Sequence, residues 1–189
     1  MAQDTACIIK GDPHYLTFDG LKYDHMGNCS YAVVAWCGGT FATRPWQVIS
    51  VRTKEINPKR PGHTRIVGVI LRRFGTGHFT EVIAPDCSVK LNGRNMDLES
   101  QPFRNFPNHG SIERVGEFIV VESFNQYRAV FDCEKKRLDI FITYEGAAGN
   151  LCGLCGNYNG DASEADEFQG HGSLDALAEA FRSPDPDLQ

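Results

Sequence analysis

The sequence predicts an all-β domain, an antiparallel sandwich or barrel, on three observations. Strand-length segments show period-two apolar alternation. They recur at intervals of about ten residues, with Gly, Pro, Asn and Asp between them. One Asn-Gly pair stands between two such segments in the position of a two-residue hairpin turn. A parallel α/β sheet would instead need helical crossovers between successive strands.

In chain order, residues 31–36 form a short, wholly apolar run, as a strand buried on both faces does. Residues 48–53 and 65–73 are rich in β-branched side chains, and Val67, Val69 and Leu71 fall on one face at period two. Asn57-Pro58-Lys59-Arg60-Pro61-Gly62 between them is an exposed loop by composition. Leu91-Asn92-Gly93-Arg94 is the hairpin signal, because Asn-Gly accepts the positive φ angles of a type I′ turn. Phe118 and Val120 on one face, with Ile119 and Val121 on the other, imply a central strand. Leu138, Ile140 and Ile142 alternate with Arg137, Asp139 and Thr143, the pattern of a half-buried strand. One helix is expected near the end. Ser173 caps it, Asp175 complements its N-terminal dipole, Leu174, Leu177, Ala178 and Phe181 form an apolar stripe, and Pro184 and Pro186 stop it. Residues 183–189 are expected to be a disordered tail.

Hydrophobic residues make up 41% of the 189 positions, enough for a sizeable core, and the 23% charged share argues against disorder. The 19 Lys and Arg against 24 Asp and Glu give a net charge of −5. That balance disfavours nucleic acid or an anionic membrane surface as the main partner. Apolar runs such as residues 66–71 fall far short of a membrane span. Seven cysteines cluster toward the two ends, Cys7, Cys29 and Cys37 early and Cys133, Cys152 and Cys155 late, with Cys87 between. This distribution suits disulfides formed in an oxidising compartment, and the odd count leaves one thiol over. Met1-Ala2-Gln3 runs into folded-looking sequence with no signal peptide, so a segment of a longer secreted protein is expected.

The chemistry concentrates in Cys152-Gly153-Leu154-Cys155-Gly156-Asn157-Tyr158-Asn159-Gly160-Asp161. A C-x-x-C can be a redox dithiol, half a metal site or two half-cystines. Zinc would need a second ligand pair at regular spacing, which is not there. A thioredoxin-like role would want a helix after the motif, where Gly and Asn follow instead. Asn157, Asn159, Asp161, Glu164, Asp166 and Glu167 then form an oxygen-rich run with Gly160 inside it. The run resembles the way calcium loops present oxygens, but it does not match the EF-hand. Spacing alone leaves calcium and a solvated acidic turn both open. His14, His25, His63, His78, His109 and His171 form no metal-binding pattern and are expected at the surface or in the core. Gly75-Thr76-Gly77 lacks the rest of a nucleotide loop, and Asn28-Cys29-Ser30 is a glycosylation sequon that oxidation of Cys29 would obstruct. Trp36, Trp46 and Tyr31 are expected as core aromatics.

Gly11-Asp12-Pro13-His14-Tyr15-Leu16-Thr17-Phe18-Asp19-Gly20, taken with the run from Cys152 to Asp161, closely resembles the opening and closing signatures of the von Willebrand factor type D domain. The resemblance implies one domain over residues 7–182, an antiparallel β-sandwich of two sheets with a calcium loop and a short C-terminal helix. It implies the disulfides Cys7–Cys155 and Cys37–Cys152. The family's partner for Cys29 lies just after the terminal helix, where this sequence has no cysteine, so Cys29 is left unpaired; Cys87 and Cys133 are then paired by elimination. It also implies a calcium site at Asp19, Asn157, Asn159, Asp161 through its backbone carbonyl, Asp166 and Glu167. The stretch before Asp166 is about two residues longer than usual, which makes Glu164 a possible substitute ligand. The function implied is structural, not enzymatic: a module of a large secreted adhesive, mucin-like or matrix protein that mediates assembly. Its partners would be other modules of the parent, a second copy or matrix proteins. Two alternatives accompany this reading. Cys152 and Cys155 would act as an exchange dithiol, or the Asp12-Pro13 bond would cleave itself with His14 delivering the proton, as in some similar mucins, and the anhydride formed would give a covalent cross-link to an amine.

Overall fold

The computed structural model describes residues 5–41, 46–73 and 79–183. Gly75-Thr76-Gly77, His78, the stop signals Pro184 and Pro186, and Met1-Ala2-Gln3 lie outside the described residues. The strands are β1 (Ala6–Lys10), β2 (His14–Leu16), β3 (Lys22–Asp24), β4 (Ser30–Trp36), β5 (Trp46–Glu55), β6 (Thr64–Arg72), β7 (Thr80–Ile83) and β8 (Val89–Leu91). They continue with β9 (Arg94–Met96), β10 (Phe103–Phe106), β11 (Gly110–Val115), β12 (Phe118–Ser123), β13 (Tyr127–Asp132), β14 (Arg137–Ile142) and β15 (Leu151–Cys152). Two short helices follow, α1 (Glu164–Glu167) and α2 (Leu174–Ala180).

All described ladders are antiparallel and build two sheets, so the fold is a sandwich. An eight-stranded sheet runs β10-β11-β12-β13-β14-β1-β2-β3, and a seven-stranded sheet runs β15-β4-β5-β6-β7-β8-β9. The apolar run at 31–36 becomes β4, with five of those six residues fully buried. β12 lies between β11 and β13, the central position its two apolar faces imply, although Phe118 is exposed on the outer face. β14 buries Leu138 and Ile140 and turns Arg137 and Asp139 toward each other at 2.7 Å. Leu91 pairs with Arg94 across Asn92 (φ 47°) and Gly93 (φ 79°), a two-residue turn with both φ angles positive. Between the sheets lies one apolar core that includes Ile9, Tyr15, Phe18, Ile49, Leu71, Ile119, Phe131, Ile140 and Leu154. Each such side chain stabilises the fold by about 1.5–3 kcal/mol relative to exposure.

Four expectations change. Ile66, Val69 and Leu71 are buried while Val67 is half-buried, because a register shift opposite Arg52 and Thr53 inserts an extra residue and breaks the period-two face. Trp46 is 40% exposed, since it stands at the end of the β4–β5 ladder opposite Trp36, away from the sandwich interior. Helix α1 was not foreseen; four residues carry too little periodicity to register. Ser183 is buried rather than disordered, its N–H bonded to the Ser30 carbonyl at 2.8 Å and its hydroxyl to Gln47 at 2.9 Å. In α2, Ser173 accepts from the Ala176 N–H at 3.2 Å, and Leu177 and Ala178 face the core.

Three disulfides hold the layers. Cys7 on β1 joins Cys155 just after β15, and Cys87 joins Cys133, so both bonds tie one sheet to the other. Cys37 joins Cys152 alongside the β15–β4 pair. The Cys7–Cys155 bond spans 148 positions, which in the chain-entropy model is worth about 5 kcal/mol. At one end of the sandwich Arg73 and Glu81 form a fully buried ion pair. The Arg73 guanidinium also donates to the His109 carbonyl at 2.6 Å and lies over the Phe79 ring at 4.7 Å, so it reaches from one sheet to the loop of the other.

Candidate metal centre

The second ordered polar site forms where the turn after β2 meets the loop after β15. The chain brings these distant segments together by covalent and backbone bonds. Cys7–Cys155 fixes the loop to β1, and the Phe18 N–H donates to the Cys155 carbonyl at 3.0 Å. Tyr158 packs edge-on against Phe18 at 5.5 Å.

Asp19 then faces the loop. Its carboxylate accepts the backbone N–H of Asn159 at 3.1 Å and of Gly160 at 2.7 Å. Asp166, presented by α1, accepts the side-chain amides of Asn157 at 2.7 Å and Asn159 at 2.9 Å. Asn157 Oδ1 accepts the Asn159 N–H at 3.2 Å. Four of the six residues assigned to calcium are thus linked directly. Glu167, the last residue of α1, is 1% exposed beneath them. The Thr17 hydroxyl donates to its Oε1, while its Oε2 is buried with no hydrogen-bond partner. Asp161 is different: its carboxylate turns outward to the Ser163 N–H, which holds its pKa below the usual range. Glu164 is exposed at the start of α1.

The electrostatics follow from that placement. Burial pushes the Glu167 pKa up to about 7, the Thr17 hydroxyl and the Asn157 N–H oppose the shift, and the charges of Asp19 and Asp166 add to it. A carboxylate buried beside two others, with one oxygen unsatisfied, is a site short of positive charge. Among the described residues no three His, Cys, Asp or Glu side chains converge as a compact metal cluster. The amides of Asn157 and Asn159 both donate to Asp166, and half a turn of either amide would present its oxygen where its nitrogen now stands. The donor set, all oxygen and carboxylate-rich, fits a hard cation such as calcium. Gly156 is required here for two reasons: its φ is 87°, and a Cβ on it would lie 2.0 Å from Glu167 Oε2.

Cys152 and Cys155 are each bonded to a different distant cysteine, so no adjacent thiol pair is present in this state. Cys29 is free and half-buried. Around the Asp12-Pro13 bond, His14 is turned away, its Nδ1 2.6 Å from Asp24. The imidazole that meets Asp12 is His63, with Nδ1 2.6 Å from Oδ2. Sequence reasoning missed His63 and Thr17. Thr17 stands inside the quoted opening signature, but His63 lies 51 positions from Asp12 and carries no local signal.

The von Willebrand factor type D domain pattern matches residues 7–170. The chain is 30% identical to the IgGFc-binding protein of Homo sapiens over 169 residues, 87% of this chain and 3% of that protein. It is 27% identical to zonadhesin of Homo sapiens over 91% of this chain and 6% of that protein. With Mucin-2 of Homo sapiens it shares 30% identity over 81% of this chain and 3% of that protein. The chain therefore spans a small fraction of the length of these relatives. The match over most of its residues, together with the two-sheet disulfide-linked fold, shows that the chain belongs to the von Willebrand factor type D domain family.

Proposed function

We propose that this domain is a calcium-stabilised structural module of a large secreted, adhesive or mucin-like extracellular protein, contributing to its assembly or multimerisation. The observation that carries this reading is Glu167 Oε2, buried without a partner beside the carboxylates of Asp19 and Asp166. Asp19, Asn157, Asn159, Asp166, Glu167 and the backbone carbonyl of Asp161 would hold the ion, which offsets the mutual repulsion of the acids. Bound there, calcium ties the turn after β2 to the loop after β15, next to Cys7–Cys155, and keeps that face rigid for neighbouring modules, a second copy or matrix proteins. The names zonadhesin and Mucin-2 support the adhesive and mucin-like setting. Asn28 is exposed and Cys29 is unbonded, which leaves the sequon open to a glycan. The test is thermal unfolding in calcium and in chelator. A calcium-dependent rise in Tm supports the reading, and identical curves reject it.

A second reading, self-cleavage at Asp12-Pro13, is favoured by the contact between His63 and the Asp12 carboxylate. Mass spectrometry of reduced protein after days at mildly acidic pH would find a fragment beginning at Pro13, or an intact chain that rejects it.

A further inference from the structure

The chain has a net charge of −5, and several of its arginines are paired with carboxylates: Arg73 with Glu81, Arg114 with Glu99, Arg128 with Glu122, Arg137 with Asp139 and Arg182 with Glu179. The hairpin joining β5 to β6 departs from this. Lys54 and Arg65 stand directly opposite each other on the ladder, both exposed. Like charges in that position destabilise a strand pair. Lys59 and Arg60 occupy the exposed tip. Among the described residues none of these four forms an ion pair. Over residues 54–65, four cations against the one carboxylate of Glu55 leave +3 with His63 neutral.

The tip fixes the backbone that carries those cations. The Lys59 N–H donates to Asn57 Oδ1 and the Arg60 N–H to the Asn57 carbonyl, both at 2.9 Å, closing a turn with Pro58 in second position. A second turn follows at once. The His63 N–H donates to the Arg60 carbonyl at 3.4 Å, with Pro61 in second position and Gly62 at φ 86° in third, where a type II turn demands a positive angle. His63 then bonds Asp12, which anchors the hairpin to the turn after β1. A ligand meeting this surface orders side chains only, because the backbone is already fixed.

We infer that the β5–β6 hairpin is a docking surface for a linear sulfated polysaccharide, engaged through Lys54, Lys59, Arg60 and Arg65. The Cα atoms of the four residues lie within about 18 Å along the hairpin, the reach of five residues, and all four residues are exposed, a spacing that a linear polyanion can follow. Residues 54–65 contain no Phe, Tyr or Trp, so the base-stacking platform of a single-strand nucleic acid site is not there. Ile56 is the one exposed large apolar side chain of the hairpin, too little to anchor it in a lipid surface. Three disulfides and membership of this family suit an extracellular setting, where sulfated polysaccharides are the linear polyanions at hand.

Heparin is the probe, titrated against the chain at several salt concentrations, with fully desulfated heparin, phosphatidylserine vesicles and duplex DNA in parallel. The expected result is saturable binding to heparin whose logarithm falls with log salt at a slope of about −3 to −4. The tip variant Lys59→Gln/Arg60→Gln should weaken it about tenfold, and adding Lys54→Gln/Arg65→Gln should remove it at about 0.15 M salt. A control variant of equal charge change, Lys22→Gln/Lys90→Gln/Arg94→Gln/Arg104→Gln, should bind as the unaltered chain does. The Tm of each variant reports folding, and loss of the opposed Lys54 and Arg65 should not lower it. The inference is overturned if heparin does not bind, if desulfation leaves binding unchanged, if the control loses as much as the hairpin variant, or if vesicles or DNA bind as tightly as heparin.

Discussion

Among the described residues the sandwich buries two glutamates and treats them in opposite ways. At one end Glu81 meets Arg73 from the neighbouring strand, and the guanidinium is further satisfied by the His109 carbonyl and the rings of Phe79 and Phe106. The chain provides its own cation there, and the site is closed. Burial raises the pKa of both glutamates, but where Arg73 opposes the rise at Glu81, at the other site Asp19 and Asp166 add to it at Glu167, and the nearest donors are neutral: the Thr17 hydroxyl, asparagine amides and backbone N–H groups. Hydrogen bonds orient those acids without neutralising them. The difference separates a polar site whose charges cancel within the chain from one left with uncompensated negative charge.

The largest effect should come from breaking the closed site. Arg73→Met leaves Glu81 buried and uncompensated and should cost about 3–5 kcal/mol, while Arg73→Met/Glu81→Leu together should recover most of it. Urea unfolding of the two variants measures both numbers, and equal losses in single and double variants would break the comparison. Next, Asp19→Ala should remove the calcium-dependent gain, about 2.7 kcal/mol at a hundredfold excess over Kd, and in chelator should lose only what its bonds to the Asn159 and Gly160 N–H groups contribute. Glutamine in place of each buried glutamate sharpens the contrast through sign. Glu81→Gln should lower stability in calcium and in chelator alike. Glu167→Gln should raise it by about 1 kcal/mol in chelator, by removing a crowded charge, and lower it in calcium. Melting curves of both variants under both conditions decide the point.

The smallest effect concerns His25, whose Nε2 is buried without a partner as Glu167 Oε2 is, with its ring edge-on to Tyr31 at 4.9 Å. Here the orphan is tolerated because the imidazole is neutral; burial lowers its pKa below the ordinary value. The unfolded chain then binds the proton more readily than the folded one. Stability from this group is present above about pH 6.5 and is lost as pH falls through the folded pKa. His25→Gln should flatten that part of the pH–stability curve.

Legibility followed sequence distance. Asn92 with Gly93, the cap at Ser173 and the alternation of β14 are local, and each was readable from a handful of neighbouring residues. The two long motifs hold residues far apart in sequence that the fold brings together, Asp19 with Asn159 and Gly160, while Asp161, read as a ligand only through its backbone carbonyl, turns its carboxylate to the Ser163 N–H. The extra residue at Val67 was hidden because a bulge leaves composition untouched and changes only the period. Arg73 with Glu81, Thr17 with Glu167 and Asp12 with His63 come together through strand pairing and sheet packing, and no local pattern announces them.

Calorimetric titration of calcium into the chelator-stripped chain tests the central claim most directly. The site built around Glu167 predicts a saturable transition at one ion per chain, absent from Asp19→Ala and retained by Arg114→Gln, whose guanidinium pairs with Glu99 elsewhere on the surface. Absence of saturable heat from the unaltered chain, or unchanged binding to Asp19→Ala, would contradict it.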